Sequence, residues 1–322
     1  MATVFKNLLS NDVATTRTLL NEAIPITGTI VSGTYNDENI KNYSHGMFQS
    51  VYDYPYLSSS ANHIFDITYG YSPSLSASAN TQNAKKLNVY NQMAQVLVGY
   101  DVTGSIREFD RDGDFTGGAK LNACVFLNYS RLLTKDEVKK GNYRLTILSG
   151  STEITIGDYD AQSNYKVNSP SGEYGILYTG SAAVAGTGVG LIYYQAGVAV
   201  LTASADIFEN YESFTGSLSI SGTADDVRNK WINNDFNNTT ELNSTVYFCR
   251  INNNEYNYSS NPTYLNASKI VTKNASSDPS VAYITSIGLY SADNELLAVA
   301  KLSEPLKKDQ NNELTLRVRL DY

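Results

Sequence analysis

The chain has 322 residues, of which 24 are Lys or Arg and 32 are Asp or Glu, so its formal net charge at pH 7 is −8. This acidic balance disfavours binding to nucleic-acid phosphates unless a local basic patch overrides it. The basic stretches at 135–140 and 307–308 do not alternate with aromatic residues as a nucleic-acid groove does. The 25 Tyr and 10 Phe exclude a disordered chain, because disorder requires few aromatic residues and a high net charge.

The sequence also bears on membrane insertion, secretion and the state of the two cysteines. No stretch approaches the roughly 18 consecutive apolar residues that a membrane-spanning helix needs. Residues 1–10 lack a basic region followed by a sustained apolar run, so we predict neither a signal peptide nor membrane association. Cys124 and Cys249 each lie in an apolar run, and we interpret them as two buried thiols rather than a disulfide.

The first part of the chain is predicted as a helix followed by a strand. The helix is capped by Ser10 or Asn11 and runs through Ala23, and Pro25 ends it. The segment 26–31 is then predicted to be extended.

A second helix is predicted over 81–98, with Gly99 as its C-terminal stop. Its apolar residues recur at spacings of three and four and therefore share one face: Ala84, Leu87, Tyr90, Ala94 and Leu97. The segment 52–71 before it is dense in Tyr and Ser and is predicted to be irregular packed structure.

The central part is predicted as strands with two further short helices. Thr134 and Glu137 match a capping box, so one helix is predicted from Thr134 to Gly141. The other is predicted over 224–232, with Val227 and Trp231 on one side. Apolar runs and alternation between turns predict strands at 121–129, 143–148, 153–156, 174–178, 191–194 and 198–201.

The last part of the chain is predicted to be β structure. The runs 283–290 and 295–302 flank a turn and predict a hairpin. Over 314–321, Leu and Val alternate with Thr, Arg and Asp, which is typical of a half-buried strand. We expect the closing residues 314–322 to pair as a strand with the core or with a partner.

Together these elements predict an α+β fold that is predominantly antiparallel β-sheet, sandwich-like, with about four short helices. The polar, Asn-rich stretch 233–243 is predicted to be a linker. It would separate a mixed α/β-rich N-terminal and central domain, 1–232, from a β-rich C-terminal domain, 244–322.

One acidic run resembles the start of a calcium-binding loop, because Asp110, Asp112 and Asp114 surround Gly113. The EF-hand pattern also needs a Glu about six residues after its Gly, and none occurs here. An ordinary β-turn at Asp112 and Gly113 explains the run without a metal. The sequence therefore predicts no metal site and leaves cation binding by this run open.

The two histidines are the next candidates for chemistry. His45 and His63 are the only histidines, and with Asp53 and Asp66 nearby they show no metal-ligand spacing. A histidine can act as a general base. A histidine among Tyr and Ser residues is more often a hydrogen-bonded structural residue, and we favour that interpretation.

Scattered carboxylates such as Asp158 and Asp160 fit a glycosidase pair, although acidic turns are commoner. The glycines of 180–190 precede a strand rather than opening a helix, so they do not fit a dinucleotide fold. We predict no catalytic, cofactor-binding or metal-ligating residues, no cofactor and no enzymatic activity. The many Tyr residues are spread through the chain, which favours protein interfaces over a sugar-stacking platform.

Several segments resemble uncharacterised virion structural proteins of contractile-tailed marine cyanophages. They are IKNYSHGMFQSVYDYPY at 40–56, NHIFD at 62–66, SRLLTKDEVKKG at 130–141 and VYFCRI at 246–251. In addition, ITSIGLY at 284–290 and NELLAVA at 294–300 resemble a β-hairpin of phage tail and baseplate-attached fibre proteins. The cyanophage resemblance covers most of the chain, whereas the hairpin resemblance covers only its last part.

The resemblance implies a non-enzymatic virion protein that is assembled in the host cytoplasm and present in several symmetric copies. The tail or baseplate periphery is its first expected position, and the neck, collar or head surface are the alternatives. The implied partners are other virion proteins and copies of the same chain, with neither nucleic acid nor membrane. The alternatives of other classes are a host-glycan-binding module and an enzyme that acts on cell-wall sugar.

Overall fold

The computed structural model describes residues 5–75, 80–204, 207–208, 214–216, 218–258, 265–266, 269–270, 277 and 281–322. Strands make up 45% of the described residues and helices 14%, and the sheet structure is mostly antiparallel. The predicted fold class, an α+β fold dominated by antiparallel sheet, is confirmed.

The described residues contain one 3-10 turn, Ser10–Asp12, and four α-helices: α1 Gly28–Ser32, α2 Thr81–Leu97, α3 Arg131–Thr134 and α4 Ile220–Asn229. The strands of the first half are β1 Val13–Thr27, β2 Ile40–Asn42, β3 Gln49–Tyr52, β4 His63–Tyr71, β5 Ala123–Tyr129, β6 Glu137–Val138, β7 Arg144–Ser149 and β8 Thr152–Gly157. Those of the second half are β9 Lys166–Ser169, β10 Gly172–Thr179, β11 Gly190–Tyr193, β12 Val198–Thr202, β13 Trp231–Ile251, β14 Leu265–Asn266, β15 Lys269–Ile270, β16 Ala282–Tyr290, β17 Leu296–Lys308 and β18 Leu314–Asp321.

The chain forms two compact units. The continuous unit contains residues 19–240, and the discontinuous unit contains residues 1–18 together with 241–322. The sequence predicted a different division, because it placed the first residues of the chain in the same domain as the central strands.

The predicted linker at 233–243 is instead part of β13. Asn234 and Asn238 are buried there, and their amide groups donate to the backbone oxygens of Arg144 at 2.8 Å and Leu133 at 2.7 Å. The polar composition of this stretch therefore reflects hydrogen bonding inside a sheet rather than solvation of a linker.

In the continuous unit, neighbouring strands follow the order β7, β8, β10, β11, β12, β5, β4, β3 and β2, with β9 beside β10. Alternate residues of β5 belong to two separate hydrophobic clusters: Val125 and Leu127 lie in one, Cys124 and Phe126 in the other. Because successive side chains of a strand point to opposite faces, the sheet is buried on both sides.

Helix α2 covers one face of this sheet and confirms the predicted helix. Asn80 caps it by accepting a hydrogen bond from the Asn83 amide at 2.8 Å, and Gly99 follows it with a φ of 84°. The helix lies very close to β4, because a Cβ at Gly70 would approach the Tyr90 nitrogen to 2.6 Å. Glycine is therefore the residue that permits this contact.

The predictions for the first elements are wrong. Residues 13–27 form strand β1 where a helix was predicted, and residues 28–32 form α1 where a strand was predicted. The β-branched residues of 13–18 favour an extended backbone. Strand β1 stands at the end of the strand order, where Pro25 can lack an amide donor without breaking a central ladder.

The prediction of a helix from Thr134 to Gly141, based on the capping box, is also wrong. Helix α3 ends at Thr134, and Lys135 adopts a left-handed φ of 53°. Strand β6 follows and pairs with β13. The fully buried Val138 belongs to that strand, so tertiary packing overrides the local capping signal.

The remaining predictions concern the central strands, the helix at 224–232 and the segment 52–71, and they are partly correct. The six central strands are confirmed as β5, β7, β8, β10, β11 and β12. Helix α4 ends at Asn229, so Trp231 begins β13 rather than lying on a helix. The second half of the segment predicted as irregular is strand β4, in which Tyr69 and Tyr71 are buried.

In the discontinuous unit, β16 and β17 form the predicted hairpin, with Ile287 opposite Ala300. Strand β18 pairs with β13 from Asp321 opposite Ser244 to Leu314 opposite Ile251, which confirms strand pairing within the chain. Among the described residues, no helix combines the length and apolar character that crossing a bilayer requires.

Candidate interaction site

The discontinuous unit carries an open groove of about 810 Å³, which we call the apolar groove. Residues of the first segment, β13, β16, β17 and β18 line it. Its aromatic and apolar lining includes Phe5, Tyr247, Tyr256, Tyr283, Tyr290 and Leu316.

The pairing of β13 with β18 places apolar side chains on the groove. Tyr247 pairs with Val318 and Cys249 pairs with Leu316, so these side chains share one face of the two strands. The intervening residues Arg317 and Arg319 are exposed on the other face. The alternation in the sequence therefore predicted the apolar face, and the structure shows that this face borders a groove.

The hairpin of β16 and β17 leaves large apolar side chains in contact with solvent. Tyr283 is 56% exposed, Leu297 is 68% exposed and Val299 is 54% exposed. A two-stranded hairpin is marginally stable unless its apolar face packs against something. Large apolar side chains exposed in this number are a feature of interaction sites when they form a patch.

Charged residues also line the groove, among them Lys6, Asp12 and Arg250. Asp12 forms an ion pair with Arg250 at 2.7 Å, and Glu255 forms one with Lys6. The hydrogen bond from Lys6 lowers the pKa of Glu255, and burial raises the pKa of the Cys249 thiol. A combination of apolar and charged groups is also found at protein interfaces.

The structure gives His63 a structural role. Its Nε2 atom lies 2.8 Å from Asp66 Oδ1, and the hydroxyl of Ser50 donates to the same oxygen. In a catalytic triad the histidine lies between the serine and the carboxylate. Here the carboxylate lies between the other two groups, so His63 is not placed to remove the Ser50 proton.

His45 lies in a different group, stacked on Tyr43 with ring centroids 5.1 Å apart. Its Nδ1 accepts a hydrogen bond from the Met47 amide at 3.0 Å. Asp53, the other acid considered with the histidines, accepts from the amide and side chain of Asn62. The structure thus does not bring these residues together as a metal-ligand set.

Asp158 is fully buried, and its two oxygens already accept hydrogen bonds from four donors: the Gly141 amide at 2.7 Å, the Tyr143 amide at 2.9 Å, the Tyr194 hydroxyl at 2.9 Å and the Arg144 guanidinium at 3.0 Å. Burial raises the pKa of Asp158, and these donors oppose that shift. Asp160 accepts from Asn164 at 2.9 Å. The two acids hold the loop and strand ends together, an arrangement that does not resemble a glycosidase pair facing a cleft.

The acidic run does converge in space. One carboxylate oxygen from each of Asp110, Asp112 and Asp114 lies within 4.8 Å of the others. Gly113 has a φ of 72°, so the predicted turn is present as well.

Sequence reasoning missed Lys86, which is fully buried on α2. Its Nζ donates to the backbone oxygens of Phe214 at 2.6 Å and Gly216 at 3.3 Å. Burial lowers the pKa of Lys86 to about 8. Lys86 lies four residues before Tyr90 and therefore on the same face of the helix, so its position indicated burial. Its charge argued against burial, so the sequence did not single it out.

No family model, no curated protein and no solved structure matches this chain.

Proposed function

We propose that this protein is a non-enzymatic structural component of a tailed-phage virion, at the tail or baseplate periphery, and that it acts by protein–protein assembly. The observation that carries the proposal is the exposed apolar groove and hairpin of the discontinuous unit. The resemblance of several segments to cyanophage virion proteins supports the particle setting. The neck, collar or head surface are the alternative positions.

The energetics of the hairpin favour assembly. Fully burying one Leu or Val side chain contributes roughly 1.5–3 kcal/mol, and Leu297 and Val299 are more than half exposed. A symmetric particle presents the same patch on every copy, so this gain is repeated at each contact. Obligate interfaces often bury more than about 2,000 Å², and the groove and hairpin together provide a starting point for such a surface.

The location is tested by labelling intact phage particles with an antibody to this chain and viewing them in negative stain. We expect label at the tail tip, while label at the neck or head selects one of the alternative positions. Absence of the chain from purified particles, checked by mass spectrometry, contradicts the proposal.

The assembly surface is tested by sedimentation velocity over a range of protein concentrations. We expect the wild-type chain to self-associate and Val299→Ser to reduce this association. Val102→Ser is the matched control, because Val102 is 99% exposed but belongs to the continuous unit. A wild-type chain that stays monomeric, or a control that weakens association equally, contradicts the assignment of the surface.

A host-glycan-binding module is the second candidate, and the tyrosines of the groove favour it specifically. Tyr256 and Tyr283 are 39% and 56% exposed, and aromatic side chains can stack on sugars. A glycan array separates the two functions. Binding by the wild-type chain that is lost in Tyr283→Ala supports glycan recognition, and an empty array supports assembly alone.

A further inference from the structure

We propose that the loop 110–118 of the continuous unit binds a hard divalent cation, with Ca²⁺ as the expected ion, through Asp110, Asp112 and Asp114. This inference is independent of the assembly function. Its starting point is the convergence of three carboxylate oxygens within 4.8 Å of one another. Like charges this close repel each other unless something neutralises them.

A second observation points to a ligand at the same place. Asp110 is fully buried, and its Oδ1 atom has no hydrogen-bond partner among the described residues. Its other oxygen, Oδ2, accepts from the Phe115 amide at 2.8 Å and from Lys120 Nζ at 2.9 Å. A buried carboxylate oxygen without a hydrogen bond is unfavourable, so Oδ1 is placed to bind a ligand.

The unpartnered oxygen faces its neighbours in the cluster. A Cβ at Gly118 would lie 3.8 Å from Asp110 Oδ1 and 3.5 Å from Asp112 Oδ2, so both oxygens border the same space. Gly118 has a φ of 68° and no side chain to fill that space. The geometry therefore places oxygen ligands from two of the three acids beside the same space.

The charge of the cluster matches a divalent ion. Three carboxylates and the ammonium of Lys120 leave two negative charges, which one divalent cation neutralises. Lys120 binds Oδ2 of Asp110 and leaves Oδ1 for the ion. All donors are oxygens, which hard cations prefer, and Ca²⁺ accepts irregular sets completed by water and backbone carbonyls.

The ion would tie together a loop whose two ends are anchored in the core. The amide of Leu121 donates to the Phe109 oxygen at 2.9 Å, and both residues are buried. Arg111 and Ala119 form a further backbone hydrogen bond at 3.2 Å. Neutralising the acids between these anchors is expected to raise the melting temperature of the continuous unit.

The test is isothermal titration calorimetry of the full chain with CaCl2, together with thermal melts with and without the ion. We expect one Ca²⁺ per chain and a higher melting temperature, and we expect Asp112→Asn to weaken binding at least ten-fold. Asp112 is partly exposed, and its one hydrogen bond among the described residues is accepted from the Asp114 amide at 3.3 Å, so this variant is expected to fold. Asp101→Asn is the matched control, since Asp101 orders a nearby turn through Thr103 and Ser105 outside the cluster.

Terbium luminescence tests the location. The Tyr174 hydroxyl lies 3.2 Å from the Gly113 oxygen, close enough for the ring to sensitise Tb³⁺ in the loop. We expect emission that Ca²⁺ displaces and that Tyr174→Phe reduces. The proposal is overturned if the chain shows neither binding heat nor stabilisation up to about 10 mM Ca²⁺, a concentration above the dissociation constants of the weakest calcium-binding modules. It is also overturned if Asp112→Asn binds as tightly as the wild-type chain, or if Asp101→Asn weakens binding as much as Asp112→Asn does.

Discussion

The two units of this chain differ in how they use their apolar residues. Both large hydrophobic clusters of the described residues lie in the continuous unit, where Phe65 stacks on Trp231 with ring centroids 5.0 Å apart. Among the described residues of the discontinuous unit, the buried apolar residues are Val246, Val281, Ala282 and Val318. The continuous unit therefore has the core of an independent domain, whereas the discontinuous unit leaves large apolar side chains such as Leu297 and Val299 exposed.

The difference follows from the strands themselves. Strand β12 is buried at every position, because the sheet is covered on both faces. Strand β18 alternates half-buried or buried residues with exposed ones. Burial of one face per strand is enough to define a sheet but leaves less hydrophobic stabilisation per residue.

The largest expected difference between the two units is in the unfolding free energy lost when one apolar side chain is truncated in each. Phe65→Ala is expected to lose about 3–5 kcal/mol of unfolding free energy, because Phe65 is fully buried in the core. Leu297→Ala is expected to change it by less than about 0.5 kcal/mol. Urea denaturation at low protein concentration measures both. Similar losses in the two variants contradict the comparison.

A second effect of nearly the same size is expected at Asp158, the buried carboxylate of the continuous unit. Asp158→Ala is expected to destabilise by about 3 kcal/mol, because it leaves Arg144 without its buried ionic partner and two amides without acceptors. Asp160→Ala, two residues along the chain, is the control and is expected to lose less than about 1 kcal/mol. Equal losses contradict a special role for Asp158.

The buried Lys86 gives a pH-dependent prediction of comparable or smaller size. Its pKa is about 8 in the folded chain, whereas the ordinary pKa of a lysine is 10.5, so the unfolded chain binds more protons between these values. Stability contributed by this group therefore rises as the pH increases from 8 to 10.5, by up to about 3 kcal/mol. Lys86→Met removes the ammonium, and its unfolding free energy is expected to lack this rise in denaturation curves measured across that range.

The smallest expected effect is on thiol reactivity, with stability unchanged. Burial raises the pKa of both thiols, so both react slowly. Cys249 is half-buried beside the groove and is expected to react in the folded chain, whereas the buried Cys124 reacts only on unfolding. Labelling of Cys124→Ser and Cys249→Ser with a thiol reagent separates the two. Faster labelling of Cys124 contradicts the assigned burial.

The sequence predicted the fold class and most central strands because their apolar runs are local and unbroken between turns. It failed at β1 and β6, whose conformation depends on pairing with β13, far along the chain. The polar residues of β13 suggested a linker, since the partners of Asn234 and Asn238 are backbone groups that composition does not reveal.

The candidate sites were only partly predictable. The alternation over 314–321 correctly indicated one apolar face, but the groove needs residues from the first segment and from β16, which no local pattern joins. The acidic run was visible in the sequence. Its unpartnered buried oxygen was not, because burial of Asp110 is set by packing around the loop.

The division of the chain between the units has a consequence for biosynthesis. Residues 19–240 form one uninterrupted segment, so the continuous unit can fold while the ribosome is still translating the rest. The discontinuous unit folds later, because β13 can pair with β18 only after residues 314–321 have left the ribosome. During that interval β13 can already pair with β1, but the edge of residues 244–251 that later pairs with β18 stays open, and an open strand edge is prone to pair with other chains.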